Sequence, residues 1–292
     1  MASTTRDIRR RIRSVRNTQQ ITKAMKMVAA AKLRKAQSRL MAIRPYEDAL
    51  AKKLSLVLSR LVGDESPLLV QRGQEKLVLI VISADKGLCG GFTHNILRHA
   101  ESFLKDHQDR QVTLTAVGKK GAQYFLKSGR EPDTVYTDMS EDVTIAQAMA
   151  VMRKFVAAYL NGQIHEVHIL YSYFNNVISQ QVRSERLLPF DVPDVDDLAG
   201  AGAQQEYLME PSPEQVCEYL LEESLNVRLF RALLESASSE HGARMTSMDN
   251  ATNNADDLIS QLTLQYNRAR QSAITTEISE IVGGAEALNK EA

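Results

Sequence analysis

The sequence predicts a mixed α+β and α/β architecture: a long antiparallel two-helix coiled coil made by the N- and C-terminal helices, with an open α/β domain between them. Three observations carry this. Between Pro213 and Gly283 there is no proline and one glycine, Gly242, while apolar or small residues recur at spacings of three and four. A second run of that kind fills the N-terminal stretch before Gly63. Between the two, the period changes to short β-branched runs separated by glycine-containing turns.

The N-terminal element is expected over residues 1–62. Ser3 or Thr4 can cap it, and Asp7 falls in the first turn, where a carboxylate suits the helix dipole. Its seam runs through Ile8, Ile12, Val15, Gln19, Thr22, Lys26, Ala29, Leu33, Ala36, Leu40 and Ile43. A neighbouring stripe of Ile21, Met25 and Val28 reads as the drift of an apolar face in a supercoiled pair. Pro45 predicts a kink or local break near Arg44. Leu50, Leu54, Leu58 and Leu61 then continue the stripe to a stop at Gly63–Asp64.

The central domain is expected over residues 75–190. Lys76 to Ser83 is a buried strand by length and β-branching. The turn Asp85-Lys-Gly-Leu-Cys-Gly-Gly91 follows, then an amphipathic helix from Phe92 to about Lys105. Val112–Val117 reads as a strand, Lys119–Lys127 as a helix, Thr134–Thr137 as a short strand and Val143–Leu160 as a helix. Glu166–Tyr173 is another strand, and the alternation over Val177–Leu187 suits an antiparallel edge partner. This order implies a mostly parallel, Rossmann-like sheet. Residues 191–212, with Asp191, Asp194, Asp196 and Asp197, form an acidic connecting loop.

The C-terminal element, residues 213–288, would be on the order of 100 Å long at ~1.5 Å per residue. Its seam runs from Leu220, Ser224 and Val227 through Arg231, Leu234, Ser238, His241, Met245, Met248, Thr252, Ala255, Ile259 and Leu262 to Tyr266, Ala269 and Ala273. No domain of this size needs such a helix in its core, so it needs a partner along its length. Small residues, Ala29–Ala31 in one helix and Ser236–Ser239 in the other, let two backbones approach closely. Charge agrees with this division. The formal net charge is zero, yet residues 1–60 carry 16 Lys and Arg against Asp7, Glu47 and Asp48. A basic arm of this kind suits an acidic surface.

No catalytic constellation emerges. The glycine-rich turn stands where a strand meets a helix N-terminus, a generic anion site. However, Lys86 precedes the glycines, and neither Gly-Lys-Ser/Thr nor G-x-G-x-x-G is present. Cys89 lies near Lys86 and His94, but that spacing does not define a nucleophile with its base. His165 and His168, beside Glu166, read as solvated edge residues sharing a face, with no third ligand to complete a metal site. The acidic loop lacks calcium-loop spacing. Two distant cysteines, Cys89 and Cys217, point to a reduced intracellular protein, and no apolar run nears the ~20 residues of a membrane span. The basic first helix leaves a second reading open, a free-standing coiled-coil protein binding nucleic acid. Against it, no aromatic accompanies the basic residues before Tyr46.

The stretch Ile12-Arg-Ser-Val-Arg-Asn-Thr-Gln-Gln-Ile-Thr-Lys-Ala-Met-Lys-Met-Val-Ala-Ala-Ala-Lys32 resembles the gamma subunits of F-type ATP synthases. So do Asp85-Lys-Gly-Leu-Cys-Gly-Gly91 and Tyr266-Asn-Arg-Ala-Arg-Gln-Ser-Ala-Ile-Thr-Thr-Glu-Ile-Ser-Glu-Ile-Val-Gly-Gly-Ala285. The resemblance covers the whole chain. It implies a non-catalytic central-stalk rotor without cofactor or metal, held by three alpha and three beta subunits, the epsilon subunit and the membrane c-ring, and no nucleic acid. It assigns Lys23, Met25 and Lys26 to the acidic lever of beta, with Met25 exposed. Arg270, Gln271 and Thr275 fall to the catalytic head, Lys86 to the lever or the coil, and Tyr207 and Glu210 to the foot near epsilon and the c-ring. The cysteine-paired insertion of chloroplast relatives is missing, and the family motif starts too early for a transit peptide. A bacterial enzyme is therefore expected, peripheral on the cytoplasmic side of the inner membrane.

Overall fold

The computed structural model describes residues 5–58, 66–139, 143–191 and 209–291, the side chains of 284 and 286–291 excepted. The stop at Gly63–Asp64, most of the acidic loop and Tyr207 lie outside the described residues. In chain order the elements are α1 (Thr5–Leu58), β1 (Lys76–Ile82), α2 (Phe92–Asp106), β2 (Gln111–Val117) and α3 (Lys119–Lys127), then β3 (Thr134–Tyr136), α4 (Ile145–Leu160), β4 (Glu166–Phe174), β5 (Gln180–Leu188) and α5 (Pro213–Glu291).

Helix α1 runs through Pro45 without the local break that was the alternative to a kink. Proline removes one N–H from the ladder and leaves the carbonyl four residues earlier without its bond. Here both Pro45 and Met41 lie on the exposed side of the helix, where solvent can satisfy that carbonyl.

The chain divides into two compact units, Met1–Val28 with Met245–Ala292, and Ala29–Arg244. The second unit holds a five-stranded sheet of order β3-β2-β1-β4-β5. β1 pairs parallel with β2 and β4, β2 pairs parallel with β3, and β5 closes the sheet antiparallel to β4. Because side chains alternate across a strand, β1 feeds two cores. Leu77, Leu79 and Val81 meet Phe92, Ile96, Ala100 and Phe125 from α2 and α3. Val78, Ile80 and Ile82 face the other way, into a core with α4, Leu40 and Leu54 of α1, and Leu221, Leu225 and Leu229 of α5. A parallel sheet covered on both faces accounts for the near-continuous apolar run of β1. The N-terminus of α4 is fixed by a capping box between Thr144 and Gln147.

The ends of β1 and β2 come together through two glycines. A Cβ on Gly121 would lie 2.5 Å from the Ser83 hydroxyl, and one on Gly118, whose φ is +100°, 2.2 Å from the Ser83 carbonyl oxygen. That hydroxyl donates to the Val117 carbonyl at 3.0 Å and accepts from the Gly121 N–H at 2.9 Å.

Candidate functional site

In the first unit, polar contacts between α1 and α5 advance along one helix as they recede along the other. The Arg9 guanidinium lies 5.7 Å from the Tyr266 ring centre, and the Gln19 amide donates to Asp256. The Thr22 and Thr252 hydroxyls are 2.8 Å apart, and the Lys26 ammonium donates to Asp249 at 2.6 Å. This is an antiparallel pair in one register. Ile8 and Thr22 are buried on one side of it, with Met248, Ala255 and Leu262 on the other, which is the seam expected from spacing.

Two details differ from expectation. Ile21 and Val28 are 61% and 55% exposed, because a pair with a single seam covers only a narrow stripe of each helix. Met25, expected to be exposed, is half-buried beside the Lys26–Asp249 bridge, while Lys23 is exposed. Farther along α5, every residue from Arg270 to Gly283 is exposed. Arg270, Gln271 and Thr275 lie there, with the Thr275 hydroxyl donating to the Gln271 carbonyl at 2.9 Å. The same stretch carries Ile274, Ile278, Ile281 and Val282 at helical spacing, an apolar row on the surface. The two groups of candidate contact residues on this unit therefore sit about 30 Å apart along the pair, at ~1.5 Å per residue.

In the second unit, α5 braces the glycine-rich turn. Arg244 donates to the carbonyls of Lys86 at 3.1 Å and Gly87 at 3.3 Å and pairs with Glu240 at 2.8 Å. Burial pushes the Glu240 carboxyl above its ordinary range, and Arg244 opposes that rise. Asp85, at the start of the turn, accepts the N–H of Lys119 at the N-terminus of α3 and that of Asp138, both at 3.0 Å. Lys86 is exposed, and Leu88 stands out into solvent at φ +63°. Cys89 is buried, within reach of the Lys86 carbonyl and the Thr93 hydroxyl rather than His94. Two residues earlier on α5, Gly242 permits close approach to the β4–β5 hairpin, where a Cβ would meet Phe174 at 3.3 Å.

A half-buried ionic knot ties α1, α5 and the hairpin together. Arg231 pairs with Glu185 at 3.0 Å and approaches Glu47 at 3.2 Å, the latter without hydrogen-bond alignment. Tyr171 donates to Glu185 as well, and burial together with that carboxylate pushes its hydroxyl pKa up. Glu235 accepts the Phe174 N–H at 2.8 Å, and burial raises its pKa. Arg231 was visible in the sequence as a charge inside an otherwise apolar or small-residue seam, and such a charge signals a buried partner. Arg244 with Glu240 was visible only as an i,i+4 pair.

The histidines depart from expectation. His168 is on β4, inside the sheet, and donates through Nε2 to Glu166 at 3.0 Å, while Arg110 approaches the same carboxylate oxygen at 3.2 Å. It packs on Phe103, and burial pulls its pKa below the usual value. His165 precedes the strand and takes the Lys76 N–H at 3.4 Å. Residues two apart share a strand face and residues three apart do not, so Glu166, not His165, is the neighbour of His168. Glu210 is exposed just before α5. Among the described residues, no group of three His, Cys, Asp or Glu side chains is placed to hold a metal ion. No described helix is long and apolar enough to cross a membrane.

Comparison with known proteins matches residues 4–288 to the family described as ATP synthase. The ATP synthase gamma chain of Symbiobacterium thermophilum is 44% identical over 290 residues, 99% of each chain. That of Desulforamulus reducens is 46% identical, over 97% of this chain and 98% of the relative. Among solved structures, a chain from the central stalk and c-ring of Tetrahymena thermophila mitochondrial ATP synthase is 28% identical with a TM-score of 0.58. The match covers 79% of this chain and 99% of that one. A chain of the Euglena gracilis mitochondrial enzyme, 21% identical with a TM-score of 0.69, covers 97% of this chain and 94% of its own length and shares the fold.

Proposed function

Because the chain belongs to the ATP synthase gamma-chain family, we propose that it is the central-stalk rotor of a proton-driven ATP synthase, carrying torque between a membrane c-ring and an alpha–beta catalytic head. The exposed apolar row Ile274, Ile278, Ile281 and Val282 is the observation that carries this reading. Four large aliphatic side chains on one bare helix need cover, and a bearing formed by surrounding subunits supplies it. Catalysis belongs to beta in this account. The chain contributes an asymmetric surface that favours a different conformation of each catalytic subunit at each angle, so rotation shifts their populations in sequence.

Within that reading, Lys23 and Met25 face the acidic lever of beta, and Lys26 stiffens the pair beneath them through Asp249. Arg270, Gln271 and Thr275 engage the head farther along, where Gln271 keeps its amide for a partner while its carbonyl holds Thr275. Lys86 presents its charge from a turn that Arg244 holds to α5. Glu210 and Tyr207 belong to the foot, with the epsilon subunit and the c-ring. The complex would place this chain at the cytoplasmic face of a bacterial inner membrane. The nucleic-acid reading finds no counterpart among the relatives.

The test is reconstitution of purified alpha and beta subunits with and without this chain, followed by an ATPase assay. A discrete assembly with one copy per three alpha–beta pairs and faster turnover is expected. Failure to join the ring, or to change turnover, would refute the proposal.

A further inference from the structure

We infer that the three polar layers in the middle of the helical pair, Gln19–Asp256, Thr22–Thr252 and Lys26–Asp249, are positioning contacts that fix the register of α1 against α5. A heptad seam is nearly periodic. Around these layers it is lined by Ile12, Val15, Ile259 and Leu262, so sliding one helix by a heptad, about 10 Å, still sets apolar against apolar. Shape alone distinguishes such registers poorly.

The polar layers remove that degeneracy because no two of them are chemically alike. One is an amide against a carboxylate, one a pair of hydroxyls and one an ammonium against a carboxylate. Thr22 is 8% exposed, and its hydroxyl and that of Thr252 form a relay between the Gln19 carbonyl at 3.0 Å and the Met248 carbonyl at 2.7 Å, in which one of the two protons bridges the helices. A slide of one heptad would set Thr22 against Ile259 or Met245 and break that relay. A slide of one layer would set Lys26 against Thr252 and leave Asp249 without its cation. Only the observed register matches all three. Polar groups placed singly in a coiled-coil seam act in this way, specifying alignment at some cost in stability. The alignment holds Met25 and Arg270 at a fixed separation along the pair. The inference concerns the pair itself and does not depend on the rotor reading.

The experiment uses the full chain, with Cys89 and Cys217 replaced by alanine and spin labels on cysteines at the exposed positions Gln20 and Asn254. Pulsed dipolar spectroscopy should give one narrow distance. Replacing the layers together (Gln19→Leu, Thr22→Val, Lys26→Leu, Asp249→Leu, Thr252→Val and Asp256→Leu) should keep the helical circular dichroism. It should broaden that distance into a distribution, short of a full heptad slide of about 10 Å because Leu40 and Leu54 of α1 still pack with Leu221, Leu225 and Leu229 of α5. A single native distance in that variant would overturn the inference. The exchange of Lys26→Asp with Asp249→Lys provides a second arm that perturbs packing far less. It should retain one distance, and broadening there would equally count against the assignment. Failure of the reconstitution assay would refute the rotor proposal and leave this inference untouched.

Discussion

At Gly118 a single missing carbon decides how two strands end. With φ at +100° and a Cβ position 2.2 Å from a backbone oxygen, Gly118→Ala should cost at least about 3 kcal/mol. Gly129 also has a positive φ, +78°, but open space around it, and the same change there should cost about 1 kcal/mol. Urea unfolding midpoints would measure both, and equal losses would contradict the steric account. His168 makes a residue-scale prediction about pH. Burial holds its folded pKa below the unfolded value of 6.5, against the pull of Glu166, with His107 and Arg186 adding to the depression. The neutral ring is therefore favoured in the folded state. Its contribution is complete above the unfolded pKa and is lost as pH falls from about 6.5 toward the folded value. Thermal melts between pH 5 and 7.5, on the order of one titration range, should show a steeper acid-side decline for the native chain than for His168→Gln. Parallel curves would exclude this origin.

At the scale of elements, α1 carries the plainest prediction. Its proline is accommodated rather than required, so Pro45→Ala should restore one ladder bond and raise stability by about 1–3 kcal/mol, less the gain in unfolded-chain freedom. A lower melting temperature would show that Pro45 has a packing role. The long helices were legible because burial in a two-helix pair follows the heptad, and Ile8, Thr22, Ala29 and Leu33 are buried where spacing places them. Strands β1, β2 and β4 were legible from β-branched runs. Apolarity could not reveal that Ile21 and Val28 face away from the partner, since spacing gives the width of a stripe but not which flank is covered. Nor could it reveal that the carbonyl orphaned by Pro45 faces water. The bracing of the glycine turn by Arg244 was hidden because the two are separated by more than half the chain, and local pattern carries no information over that distance.

For the whole molecule, the two compact units differ in how they are held. One rests on a single seam between two helices, and the other on two cores either side of a sheet. Native-state hydrogen exchange should therefore find weaker protection in residues 5–28 and 245–283 than in β1 and β4. Uniform protection across both would mean that they open as one cooperative body. An apolar and charged bearing would then add to the protection of the first unit when the partner subunits are present, through mass action on the folded pair.

The contact of Arg9 with Tyr266 also bears on how the chain is made. A ribosome adding about 5–20 residues per second needs on the order of 10–50 s to travel from one of these residues to the other. Throughout that interval the first helix has left the exit tunnel with its apolar stripe bare and its strong positive charge uncompensated. The central sheet, whose strands are all translated in between, can close first and shelter the later part of α1. The opening turns have no such refuge, which makes nascent α1 a natural client for chaperones until synthesis is complete.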